Sequence, residues 1–152
     1  MSIGIVTVEG VLSEQDDLRT AKPTKWAKAL YDGMRSQFNL ILMTSTEMDI
    51  ARWWLKQQSI GNWSSLLVWP ANSPFGYIEW RVDQVRNYLA DGWEIAYYLD
   101  AHPYALREIG SLGVMTLTVS YPDKPPGWRD VHQTTPRPWS KVVDTVEVTE
   151  GG

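Results

Sequence analysis

Acidic and hydroxyl side chains stand at the ends of three apolar segments, where a fold could bring them together. Thr7 and Glu9 close the first segment, VTVEGVL, and Asp100 closes a later one, YYLDAHP. Thr44 and Ser45 end the run FNLILMTS. Carboxylates can transfer protons or hold hard cations, and hydroxyls can bind the oxygens of an anion. These side chains are therefore the first candidates for chemistry.

The composition excludes several other kinds of chemistry. The chain has no Cys, which rules out disulfides, Cys-ligated zinc and thiol catalysis, and its two histidines, His102 and His132, cannot build a His-rich metal site. Its formal charge is −4 and its basic residues are scattered, so it lacks the electrostatic footprint of a nucleic-acid-binding protein. The sequence also contains no Gly-rich phosphate loop, no Gly-x-Ser-x-Gly and no His-Glu-x-x-His.

The hydrophobic pattern predicts strands and helices that alternate around a mostly parallel sheet. We predict strands over 3–8, 38–44, 65–69, 94–99 and 114–119. We predict a helix that opens at Pro23, one capped by Thr46, and two more over 80–90 and 103–109. Ligands of open α/β sheets collect beyond the carboxyl ends of the strands, so the candidate side chains should share one edge of the sheet.

The length of 152 residues fits one domain with a sizeable core. We expect a core domain over 1–122 and a C-terminal extension over 123–152, rich in Pro and Trp, that packs on the same domain. The sequence contains neither a signal-peptide pattern nor an apolar run of about 18 residues. We therefore expect a cytoplasmic protein with no membrane partner.

Tryptophan and tyrosine are unusually abundant, with nine Trp and seven Tyr against two Phe. Some of these rings lie in predicted elements at core spacing, and we expect them to be buried: Trp26, Trp54, Trp69, Trp80 and Trp93. The others are less easily accommodated and are candidates for a protein interface: Trp53, Trp63, Trp128 and Trp139. Alternatively, the last two rings fix the C-terminal extension onto the domain.

The order and spacing of the strand ends resemble the haloacid dehalogenase superfamily of phosphohydrolases. In that family the first strand ends in Asp-x-Asp-Gly-x-Leu, the second ends in Ser or Thr, a Lys or Arg precedes a later helix, and the fourth strand ends in an acidic pair. Here Gly10-Val11-Leu12 keeps the end of the first motif, and the resemblance covers roughly residues 3–122. It implies a three-layer α/β sandwich without a cap domain, built on a Rossmann-like parallel sheet of five strands in the order 5-4-1-2-3.

The catalytic positions of the family are changed in this chain. By the resemblance, Thr7 stands where the family has its nucleophilic Asp, and Glu9 stands in the place of the general acid/base. A Thr hydroxyl with no evident base beside it would form a stable phosphoester instead of a labile acyl-phosphate. The extra methylene of Glu9 would also move its carboxyl group by roughly 1 to 1.5 Å, enough to impair proton transfer. No catalytic residue is therefore expected.

The ligand-binding positions are only partly kept. The resemblance assigns phosphate binding to Thr44, with Ser45 as the register alternative, and to Arg81. It assigns a metal ligand to Asp100, but Ala101 breaks the acidic pair, so Mg²⁺ should bind weakly or not at all.

The sequence thus predicts a pseudoenzyme that needs no cofactor and serves as a protein-binding module. Short, capless, Trp-rich relatives resemble accessory proteins of bacteriophages, which directs the expected partner toward a host protein, with a homodimer as another possibility. Two alternatives stay open: a pseudoenzyme that binds a phosphate or nucleotide without turnover, and a Mg²⁺-dependent phosphohydrolase with altered chemistry. The simplest interpretation is that Thr7 and Glu9 form an exposed strand end and that Arg81 is a solvated charge.

Overall fold

A computed structural model describes residues 2–119 of the chain. The chain through Val119 groups as one compact unit. The predicted extension over 123–152, with Trp128, His132 and Trp139, lies outside the described residues. Within the described part, no helix is both long and apolar enough to cross a membrane.

The described residues form one parallel sheet of five strands. The strands are β1 (Ser2–Thr7), β2 (Asn39–Thr44), β3 (Ser65–Val68), β4 (Glu94–Asp100) and β5 (Thr116–Thr118). Their order across the sheet is β3-β2-β1-β4-β5, which is the expected order read from the opposite edge. The central strand β1 places Ile5 beside Ile41 of β2 and beside Tyr98 of β4.

Helices cover both faces of the sheet. They are α1 (Ala27–Gln37), α2 (Met48–Gln57), α3 (Tyr77–Ala90) and α4 (Pro103–Gly110). Val6 of β1 packs in a first core with residues of α1 and α2, whereas Ile5 packs in a second core with residues of α3 and α4. Successive side chains of a strand point to opposite faces, so this burial on both sides explains why the first strand is an almost continuous apolar run. The predicted three-layer α/β sandwich is confirmed.

The first helix begins later than predicted. Residues 23 and 24 instead pair with the turn after β1: Pro23 bridges to Ser13, and Thr24 donates its backbone N–H to Leu12 O at 2.9 Å. These bonds hold the chain extended and delay the helix to Ala27. Trp26 takes a left-handed conformation with φ 74° and is 71% exposed, so its predicted place in the core is wrong.

The other tryptophans within residues 2–119 are buried, half-buried or exposed. Trp54 and Trp80 are buried as predicted. Trp69 and Trp93 are half-buried against the second core, and Trp63 is half-buried against the first. Trp53, on the outer side of α2, is 51% exposed. Trp53 is therefore the interface candidate that the described structure leaves most accessible to a partner.

Candidate functional site

The carboxyl ends of three neighbouring strands meet at one edge of the sheet. Thr7 ends β1, Thr44 ends β2 and Asp100 ends β4. All three side chains are buried, and so is Glu9 in the turn after β1. The interpretation of Thr7 and Glu9 as an exposed strand end is therefore wrong, because these polar groups are enclosed and must find partners inside the protein.

One oxygen of Asp100 is bound to Thr7 and to backbone. The Thr7 hydroxyl lies 3.3 Å from Asp100 Oδ1 and 3.5 Å from the carbonyl oxygen of Leu99. The same Oδ1 accepts the N–H groups of Ala101 at 2.7 Å and His102 at 3.1 Å. The sequence predicts that Thr7 and Asp100 share one edge of the sheet, and the structure shows that they are within hydrogen-bond distance of each other. The lone pairs of Oδ1 are already engaged, which leaves this oxygen little capacity to take a proton from Thr7.

The other oxygen of Asp100 is bound to Arg81 and Tyr98. Arg81 Nη1 lies 3.1 Å from Oδ2, and Tyr98 donates its hydroxyl to the same atom at 2.5 Å. Burial and the charge of Asp100 both raise the pKa of Tyr98 well above its ordinary value, so the phenol stays protonated and remains a donor. Arg81 is only 4% exposed, which rules out the interpretation of a solvated charge.

The side chains around Asp100 do not fit a magnesium site. Mg²⁺ binds through one or two carboxylates that are free to coordinate it. Both oxygens of Asp100 are engaged, one of them with the cation of Arg81, and Ala101 supplies no second carboxylate. Over residues 2–119, no group of three or more His, Asp or Glu side chains could hold a metal ion together. Asp100, bound in this way, does not fit the role of a Mg²⁺ ligand that the resemblance assigns to it.

Glu9 is the centre of a second cluster. Its Oε2 accepts the hydroxyls of Thr44 and Thr46, the latter at 3.0 Å. Its Oε1 accepts the backbone N–H of Ser45 and the hydroxyl of Tyr77, each at 3.3 Å. Glu9 is 7% exposed, and two donors point at each of its oxygens. The Thr44 hydroxyl, which the resemblance assigns to phosphate binding, is thus engaged by a carboxylate of the chain itself, and so is the backbone N–H of Ser45, the residue given as its register alternative.

Thr46 belongs to this cluster. The sequence predicted that Thr46 caps α2, and this prediction is wrong. The N-cap residue of α2 is Glu47, and its side chain makes no cap hydrogen bond. Thr46 instead donates its hydroxyl to Glu9 and its backbone N–H to Thr44 Oγ1 at 3.0 Å. A hydroxyl can accept and donate at the same time, so Thr44 Oγ1 accepts this bond and donates its own hydrogen to Glu9. The hydroxyls of Thr44 and Thr46 thus bind Glu9 and do not cap the helix.

Two tyrosines at the site were missed by sequence reasoning. Tyr98 lies two residues before Asp100, and such a pair shares one face of a strand. Tyr77 lies four residues before Arg81 on α3, and its ring lies 4.1 Å from the guanidinium carbon. Both spacings are present in the sequence, but neither tyrosine has a counterpart in the four strand-end and helix motifs of the haloacid dehalogenase superfamily given above.

The turn after β1 also approaches the end of β4 closely. Gly10 has φ +88°, a conformation that favours glycine, and a Cβ added there would lie 3.1 Å from the Cβ of Ala101. Ala101, which stands where the resemblance expects a second acidic residue, is therefore packed against the backbone of Gly10.

The pH dependence of stability should report the burial of Glu9. Burial raises the pKa of Glu9, and the hydrogen bonds from Thr44 and Thr46 offset only part of this effect. Because the folded pKa lies above the ordinary 4.5, the contribution of Glu9 to stability is full below pH 4.5 and declines as pH rises through the folded pKa. The free energy of unfolding of the native chain, relative to Glu9→Gln, should fall over that range. Urea unfolding of both proteins between pH 4 and 8 measures it, and parallel profiles would contradict the prediction.

Comparison with known proteins bears on the fold. A scan of protein-family models found no match to the chain, and a search of curated proteins found none either. Among solved structures, the chain is similar to one in "Structure of the Pnkp1/Rnl/Hen1 RNA repair complex", with a TM-score of 0.68 and 14% identity over 80% of this chain and 43% of the other. A second match, in "Structure of Pnkp1/Rnl/Hen1 complex", has a TM-score of 0.64 and 14% identity over 80% and 47% of the two chains. The chain thus spans less than half the length of the chains it matches. At this identity the likeness shows the fold alone: a Rossmann-like three-layer α/β sandwich.

Proposed function

We propose that this protein is a catalytically degenerate domain of the haloacid dehalogenase kind that acts as a protein-binding module. One observation carries the proposal. The two carboxylates of the site, Glu9 and Asp100, are each enclosed by donors that a phosphohydrolase would direct at its substrate.

Substrate binding would require breaking these internal bonds. The hydroxyl of Thr44 and the N–H of Ser45 are engaged by Glu9, and the guanidinium of Arg81 is engaged by Asp100. A phosphate that took up these donors would remove two of the four hydrogen bonds to Glu9 and the cation that neutralises Asp100, and it would add negative charge beside two buried carboxylates, which is strongly unfavourable. Thr7 offers only a hydroxyl as a nucleophile, and its neighbouring carboxylate is already bound.

Exposed tryptophan supports the protein-binding part of the proposal. Trp53 lies on α2 and Trp26 at the start of α1, in the same helical layer, and both rings are exposed. Exposed Trp is the residue type most enriched at interface hot spots. The chains that this protein resembles come from structures of a Pnkp1/Rnl/Hen1 complex, which also agrees with a protein partner. Following the resemblance to phage accessory proteins, we propose a host protein as that partner, with self-association as the alternative.

A second candidate function is supported by one unused donor. Arg81 Nε is buried and has no hydrogen-bond partner among the described residues. Such a donor could bind an oxygen of a phosphate or nucleotide held without turnover. This candidate predicts that phosphorylated compounds raise the melting temperature, an increase that Arg81→Lys should abolish because Lys has no equivalent of Nε.

A phosphatase assay tests the main proposal. The purified chain and the variant Thr7→Asp are incubated with a generic phosphomonoester, with and without Mg²⁺. We expect no turnover from either protein, because restoring Asp at position 7 leaves Asp100 bound to Arg81 and leaves Ala101 and Glu9 in place. Mg²⁺-dependent turnover by the native chain that is lost in Glu9→Gln would overturn the proposal and establish a phosphohydrolase with altered chemistry.

A further inference from the structure

The four donors around Glu9 form an arrangement that is suited to a carboxylate. We infer that the hydroxyls of Thr44, Thr46 and Tyr77 and the N–H of Ser45 form a binding site for carboxylates, the carboxylate cradle, which Glu9 fills from within the same chain. Glu9 is thereby an autoinhibitory contact, because it keeps small carboxylates out.

The carboxylate cradle is held in place by contacts that do not involve Glu9. The hydroxyl of Thr44 is fixed by the N–H of Thr46 at 3.0 Å. The ring of Tyr77 stacks on Trp80 with 5.9 Å between centroids, and Arg81 lies against the same ring at 4.1 Å. The donors come from the end of β2, the segment before α2 and the first turn of α3, whereas Glu9 comes from the turn after β1. Removing the Glu9 side chain should therefore leave the donors in position.

The number and charge of the donors favour a carboxylate over a phosphate. Each oxygen of Glu9 accepts two hydrogen bonds, which matches the capacity of a carboxylate with two oxygens. A phosphate carries more oxygens and more charge, and none of the four donors is cationic. The guanidinium of Arg81, the nearest candidate to neutralise it, is engaged by Asp100.

The variant Glu9→Ala identifies the ligand to test. It removes the side chain beyond Cβ, and the deleted methylene and carboxylate contain the same carbon and oxygen atoms as acetate. Acetate is ionised at neutral pH and is small enough to enter the space left behind. We expect acetate to bind in the carboxylate cradle as a separate molecule and to restore the hydrogen bonds that the substitution removes.

Thermal unfolding at pH 7 tests this inference in sodium acetate, sodium chloride and sodium phosphate of equal ionic strength. We expect acetate to raise the melting temperature of Glu9→Ala above its value in chloride by at least about 2 °C, increasing with concentration. The native chain should show only the smaller, general difference between the two salts, because Glu9 fills the carboxylate cradle, and the rise of Glu9→Ala is measured as the excess over it. The matched control is a double variant that carries Glu9→Ala and Thr44→Val. Valine has nearly the same shape as threonine but no hydroxyl, so the double variant should lose most of the acetate effect.

Each other outcome contradicts the inference. Equal melting temperatures in acetate and chloride would show that no carboxylate binds. A rise in phosphate that exceeds both the rise of the native chain in phosphate and the rise in acetate would assign a different ligand. An equal acetate effect in the double variant or in the native chain would place the ion elsewhere. If Glu9→Ala does not fold in chloride, the readout is refolding yield: recovery in acetate alone supports the inference, and no recovery in acetate overturns it.

Discussion

Replacement of Arg81 by alanine should lower the free energy of unfolding by about 3 to 5 kcal/mol, the usual effect of removing one partner of a buried ion pair. Asp100 would stay buried with its Oδ2 facing the space left by the guanidinium. The hydroxyl of Tyr98 and the backbone N–H groups of Ala101 and His102 would still bind the carboxylate, but none of them neutralises its charge. Urea unfolding at pH 7, followed by circular dichroism, measures the loss.

Two control variants separate this effect from a general loss of helix stability. Arg86 lies exposed on the same helix, α3, and Arg86→Ala should change stability by less than about 0.5 kcal/mol. Adding Asp100→Asn to Arg81→Ala removes the stranded charge and should recover part of the lost stability. A loss below about 1 kcal/mol in the single variant, or no recovery in the double variant, would contradict the buried ion pair as the structure has it.

Replacing each of two adjacent tryptophans by alanine should lower the free energy of unfolding by very different amounts. Trp54 is 2% exposed and donates its ring N–H to the carbonyl of Ala21 at 2.9 Å. Trp54→Ala should therefore reduce stability by about 3 to 5 kcal/mol, as expected for truncating a large core side chain. Trp53 faces solvent from the same helix, and Trp53→Ala should reduce stability by less than about 0.5 kcal/mol.

The same pair of variants tests the proposed interface. If Trp53 is a hot spot, Trp53→Ala should weaken capture of the protein partner by at least about thirtyfold, equivalent to 2 kcal/mol. Arg52→Ala, at the exposed neighbouring position, is the control and should change capture far less. Equal capture by the native chain and Trp53→Ala would remove Trp53 from the interface, and a large loss of stability in Trp53→Ala would make it a core residue.

The main elements could be predicted because strands that are buried on both faces of a parallel sheet appear in the sequence as continuous apolar runs. The continuous apolar run ending at Thr44 became β2, and the run over 94–99 became β4 with the addition of Asp100. The fifth strand proved shorter than predicted, since Val114 packs in the second core and Met115 is exposed, both before the strand begins. An apolar residue near a strand end can thus be buried outside the strand, as Val114 is, or exposed, as Met115 is, so hydrophobicity alone does not fix where the strand begins.

The site could be predicted only as a set of positions. Parallel strands end at one edge, which places Thr7, Thr44 and Asp100 near one another from topology alone. Which group each side chain bonds depends on contacts across long separations, such as the 35 residues between Glu9 and Thr44. Arg81 illustrates the limit, since its position early in a helix suggested a solvated charge and its pairing with Asp100 could not be deduced from spacing.

The central position of β1 has a consequence for synthesis of the protein on the ribosome. One edge of β1 pairs with β2 early in translation, but its other edge pairs with β4, and Thr7 is separated from Asp100 by 93 residues. At about 5 to 20 residues per second, roughly 5 to 20 s pass between the emergence of these two strands. Through that interval the nascent chain carries an apolar strand with one unpaired edge, a surface that chaperones bind and that other nascent chains can join. Slowing translation between codons 45 and 93 should therefore lower the yield of folded protein more than slowing it after codon 119.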